Sequence, residues 1–109
     1  VADTPKVLGQ SNPSATTLTD VYTVPASTVV VISSIVVANR SITDTSFRLS
    51  IAVAGAADDN KQYLYYDVDI SGKETFVATI GITLQATDVV RVYATLATLS
   101  FNVFGVETT

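Results

Sequence analysis

From Leu18 onward apolar and polar side chains alternate with a period of two, which puts successive residues on opposite faces of an extended chain. Phe47, Leu49, Ile51 and Val53 alternate with Arg48, Ser50 and Ala52, and Phe76, Ala78, Ile80, Ile82 and Leu84 alternate with Val77, Thr79, Gly81 and Thr83. Each set predicts a strand buried on one face. Between them, Leu64, Tyr66, Val68 and Ile70 fall on one face and Tyr63, Tyr65, Asp67 and Asp69 on the other. Val29 to Ala38 is almost continuously apolar, broken only by Ser33 and Ser34, as expected of a central strand covered on both sides or bridging two layers. Val89 to Thr95 and Leu99 to Glu107 complete the set.

Turn chemistry separates these segments at Pro25-Ala26-Ser27, Asn39 to Thr45, Gly55 to Asn60, Ser71-Gly72-Lys73 and Ala86-Thr87-Asp88. About seven to eight strands at this spacing predict an all-β fold, a single antiparallel β-sandwich or jelly-roll-like barrel, over residues 18–109. One internal echo stands out: Thr23 to Ile32 parallels Thr83 to Val92, each reading strand, Ala-Ser/Thr turn, strand. Two pseudo-symmetric corners between packed sheets would produce it.

Residues 1–17 read differently. Pro5, Gly9 and Asn12-Pro13-Ser14 forbid a helix and break a central strand, so this segment is expected as an extended N-terminal arm, mostly outside the core. Such an arm is either a loose terminus or a segment that orders on a neighbour through Lys6, Val7 and Leu8.

Composition narrows the function classes. The 109 residues are 48% hydrophobic but only 15% charged, so burial can offset folding entropy while much of the surface is neutral. The net charge is -4, and Lys6, Arg40, Arg48, Lys61, Lys73 and Arg91 are scattered singly, without the basic stripe that nucleic acid requires. No apolar run approaches a membrane span, so no membrane partner is expected.

The chain has no Cys and no His, which removes thiolate chemistry, the Ser-His-Asp arrangement and the commonest metal ligand. No carboxylate pair presents itself for acid–base work, and neither enzymatic activity nor a cofactor is expected. Asp58-Asp59-Asn60 lacks the ligand order of a calcium loop and reads as a solvated turn; Asn39-Arg40-Ser41 matches a glycosylation acceptor and reads as a turn. The expected contact residues are Tyr63, Tyr65 and Tyr93, placed opposite the core-facing side of their strands, with Arg40 as a further anchor. Cross-strand packing is the alternative role for these rings.

Several segments together carry a family likeness: Tyr22-Thr23-Val24-Pro25-Ala26, Ile32 to Arg40, Phe47-Arg48-Leu49-Ser50-Ile51, Gly81-Ile82-Thr83-Leu84, Asp88 to Tyr93 and Phe101 to Glu107. In this succession the chain, from about Val7 on, resembles small β-sandwich structural proteins of tailed bacteriophages. The resemblance implies a virion component, either a capsid decoration or cement protein or a part of the tail, baseplate or fibre. The extended arm and weakly charged surface favour capsid cement, with the major capsid protein or other virion proteins as partners and a homo-oligomer, preferably a trimer. A carbohydrate-binding module built on exposed tyrosines is the third class.

Overall fold

Among the described residues nine strands form, in chain order: β1 (Asp3–Ser11), β2 (Thr19–Thr23), β3 (Val29–Asn39), β4 (Thr45–Ala52), β5 (Tyr63–Ile70), β6 (Thr75–Ala78), β7 (Ile82–Leu84), β8 (Val89–Ala94) and β9 (Leu99–Thr108). They are seen in a computed structural model that describes residues 2–109; Val1, the first residue of the expected arm, lies outside the described residues. One sheet runs β1-β9-β3-β6, with β7 also paired to β3, and the other runs β2-β8-β4-β5. All ladders are antiparallel. Because β6 and β7 both lie along β3, they act as one interrupted strand, and the order is that of a jelly roll, two four-stranded sheets packed face to face.

The expected sandwich is therefore present, with nine strands in place of seven to eight. The count rises because β1 forms inside the segment expected as an arm and because the strand expected over Phe76 to Leu84 is broken into β6 and β7. The β1 backbone is extended, but it is an edge strand paired along β9 from Asp3↔Thr108 to Ser11↔Phe101, and Leu8 is buried in the core. Pro5 is tolerated because it stands on an edge. Gly9 is required: a Cβ there would lie 2.3 Å from the Val21 carbonyl oxygen, where β1 and β2 close one side of the sandwich.

The core is filled by Val30, Ile32, Ile35, Val37, Leu99, Phe101 and Val103 from the first sheet against Phe47, Leu49, Val90, Val92 and Ala94 from the second. Phe47 is its aromatic centre, with ring centroids 5.1 Å from Phe76, 6.0 Å from Phe101 and 6.3 Å from Tyr65. The continuous apolar run of β3 is not covered on both sides. A bulge between Ile32 and Ser34 moves the inward phase from Val30 and Ile32 to Ile35 and Val37, so Val29 and Val31 point outward and are exposed.

The internal echo corresponds to two corners that pass between the sheets, β2 to β3 and β7 to β8. They are bonded to each other, Val24 N–H to the Asp88 carbonyl at 2.9 Å and Thr87 N–H to the Val24 carbonyl at 3.0 Å. Ser27 and Thr87, equivalent in the repeat, both take the left-handed backbone conformation (φ 58 and 72°). Asp88 holds its corner by accepting from the Gln85 and Ala54 amides, both at 2.9 Å.

Candidate interaction surfaces

The two outer sheet faces differ sharply in chemistry, and strand register decides which residues reach each. On β5 the ladder to β4 shifts twice: Ser50 pairs with Tyr63, Leu49 with Tyr65 and Phe47 with Val68. Leu64 is thereby left over at the edge, and Tyr66 and Asp67 together oppose Arg48; Asp67 takes a left-handed conformation to do so (φ 51°). Three of the expected orientations are overturned, the first being Leu64, which was expected with the core-facing residues and is 46% exposed. Tyr65 points into the core, where it packs 5.3 Å from Phe76, and Tyr66 points out, 55% exposed. The physical reason is the pair of bulges, each of which inverts the alternation of the strand beyond it.

Tyr63 and Tyr93 do belong to this outer face. Arg48 lies with its guanidinium carbon 4.2 Å from the Tyr66 ring centroid and 4.3 Å from that of Tyr93, and its Nε donates to Asp67 Oδ1 at 2.6 Å. That bond to Asp67 holds the guanidinium even more firmly protonated than usual. Tyr63 meets Tyr66 edge to face at 5.0 Å and donates its hydroxyl to Asp58 at 2.8 Å. Burial and then this bond push the Tyr63 phenol above its ordinary range. Beside them Arg91 donates to Asp20 at 2.9 Å and to the Ala56 carbonyl at 2.7 Å. The result is a flat aromatic and charged pad whose ions are already paired, with a shallow recess between Asn60, Tyr63 and Tyr66.

The Asp58-Asp59-Asn60 loop is committed to structure. Asp59 caps the short 3-10 turn Asn60–Gln62 through the Lys61 amide at 3.2 Å, and Asp58 accepts from Tyr63. Among the described residues no three His, Cys, Asp or Glu side chains converge.

The outer face of the five-stranded sheet is of another kind. One cross-strand row reads Pro5, Val106, Val31 and Thr83, the next sets Val7 beside Phe104, and a third reads Gln10, Asn102, Val36 and Val77. Val7, Val31 and Val77 are 48%, 45% and 56% exposed. None of these rows contains an ionisable side chain. This surface was partly readable in the sequence as the apolar residues left over from the core, but the phase of β3 beyond its bulge was not.

The expected arm contacts separate accordingly. Val7 faces out, Leu8 faces in, and Lys6 turns to the sandwich rim, where its Nζ meets Glu107 at 3.3 Å. Glu107 also accepts the Tyr22 hydroxyl from the opposite sheet at 2.5 Å. This bond, with Lys6 behind it, holds the Glu107 carboxyl below its usual range, while burial and the same carboxylate push the Tyr22 phenol well above its own. Arg40 bonds within the chain, to Asn12 at 2.5 Å and the Ala97 carbonyl at 3.1 Å. Comparison with protein-family models, curated proteins and solved structures finds no match to this chain.

Proposed function

We propose that this chain is a non-enzymatic structural protein of a virion that works by contact with neighbouring proteins, most specifically as cement on a phage capsid. The observation that carries this reading is the exposed apolar face of the β1-β9-β3-β6 sheet, because contiguous apolar surface of this kind on a small domain marks an interaction site. Two further features support it. Jelly rolls recur in capsid and lectin domains, an analogy at the level of fold. The pad of Tyr63, Tyr66, Tyr93 and Arg48 offers the residue types enriched at protein contacts. A protein that binds only the assembled shell stabilises that shell by mass action.

Cryo-electron microscopy of the particle containing the chain tests the proposal. Copies distributed over the shell support cement, density only at the tail moves the role to attachment or tail assembly, and absence from particles discards the virion reading.

A second reading, saccharide binding, is favoured by the recess at Asn60, Tyr63 and Tyr66, where the exposed Tyr66 ring and the half-buried Tyr63 ring adjoin the Asn60 side chain. Glycan-array binding lost in Tyr66→Ala would support it.

A further inference from the structure

We propose that the outer face of the five-stranded sheet is a self-association surface, and that its occupant is a second copy of this chain related by a two-fold axis. The inference rests on reading the chain as a contact protein, but not on its location in a virion.

The first argument is charge. The chain carries a net charge of -4, so two copies repel through most approaches. The rows running from Pro5 to Thr83 and from Gln10 to Val77 are neutral, and here two copies meet without like-charge repulsion. By contrast, the opposite face presents Asp20, Arg48, Asp67 and Arg91.

Area gives the second argument. Four strands spaced about 4.8 Å apart, with the ten residues of β9 rising about 3.3 Å each, make a face of roughly 600 Å² in projection. Side-chain relief brings its accessible area toward the about 800 Å² per partner of a specific interface. Sheets stack face to face with their strands within about 30° of each other, so two such faces form a four-layered sandwich that covers Val7, Val31, Val77 and Phe104 together.

Complementary corners give the third. Asp3 closes one end of the face, accepting from the Thr108 hydroxyl at 2.8 Å. Arg40 lies past the opposite end of β3, and its guanidinium reaches Asn12 just beyond β1. Both charges thus mark the β1 edge, at opposite ends of it. A two-fold axis in the plane of the interface and perpendicular to the strands lays β1 over β1 and sets Asp3 of each copy against Arg40 of the other. An isologous contact makes that pairing twice. The oligomer built this way is a dimer, in place of the trimer that the family resemblance implies.

Sedimentation velocity and native mass spectrometry of the full chain over a wide concentration range test the proposal, with thermal melting to verify folding. The expected result is a concentration-dependent dimer whose dissociation constant rises at least about tenfold in Val31→Lys and in Val77→Lys, with melting of the isolated monomer little changed. Asp3→Arg and Arg40→Asp each weaken the dimer about threefold to tenfold, and together they restore it. A wild-type protein that stays monomeric overturns the proposal, and one that instead docks a shell protein through Val31 assigns the face to a foreign partner. A dimer untouched by both lysines uses another surface, and a charge swap that fails to restore association overturns the two-fold arrangement. A monomer located on the shell leaves the virion reading standing, whereas a dimer absent from particles leaves only this inference.

Discussion

The bond from Tyr22 to Glu107 joins the two sheets at the sandwich rim, and its removal gives a signed dependence of stability on pH. Tyr22→Phe deletes the hydroxyl and leaves the ring. Glu107 is largely shielded, its side chain 14% exposed, and it accepts this bond as a charged group, so the loss at pH 7 is about 1.5 kcal/mol. With a urea slope of about 1.5 kcal/mol/M for a domain of this size, the unfolding midpoint falls by about 1 M.

In the folded state the Glu107 carboxyl sits below its unfolded value of about 4.3. Its contribution is therefore complete above that pH and is lost as pH falls through the depressed folded value. The Tyr22 phenol is displaced the other way, above about 10. Its contribution is complete below that pH and is lost as pH rises through the raised folded value. Tyr22→Phe lacks the phenol and the share of the Glu107 shift that Tyr22 supplies, keeping only that of Lys6, so the difference in midpoint between wild type and variant is largest between these limits. As pH falls through the depressed Glu107 value, the difference shrinks toward the about 0.5–1 kcal/mol of a neutral bond. Other carboxylates titrate in both proteins and cancel in the comparison. A difference that stays constant from pH 7 down through the acid range would refute the assignment of this bond to a charged acceptor.

Phe47→Ala, at the centre of the aromatic cluster, is expected to cost about 3–5 kcal/mol, measured by urea unfolding, and Phe47→Leu clearly less because it refills most of the space. Ser50→Ala is expected to be neutral or stabilising by up to about 1 kcal/mol, since the Ser50 hydroxyl is fully buried and has no hydrogen-bond partner among the described residues; marked destabilisation would mean that it has one. Asp88→Ala strips the acceptor from the Ala54 and Gln85 amides and is expected to cost about 2–3 kcal/mol in thermal or urea unfolding, with Asp88→Asn recovering part of it. Gly9→Ala drives a Cβ into the Val21 carbonyl and is expected to cost about 1–3 kcal/mol, with faster amide exchange in β1 and β2 than elsewhere.

The period-two pattern determined that residues 18–109 fold as an antiparallel sandwich, because alternation sets one side of a strand against a core whatever its partner. It also determined the turns and the repeated corners, whose Ala-Ser/Thr chemistry acts within a few residues. Which partner each strand takes was decided by tertiary structure. β1 joins β9 about a hundred residues away, a pairing that no local signal specifies and that turned an expected arm into an edge strand. The same holds for the surfaces. The bulges at Ser33, Leu64 and Asp67 come from fitting one strand to another, and each exchanges the inner and outer faces beyond it. That exchange put Tyr65 in the core and Tyr66 at the surface, and it exposed Val31 while burying Ile35. Where both faces of a strand are apolar, as along β3, the sequence by itself supplies two candidate cores, and only packing against the opposite sheet selects one and leaves the other as a surface for contact.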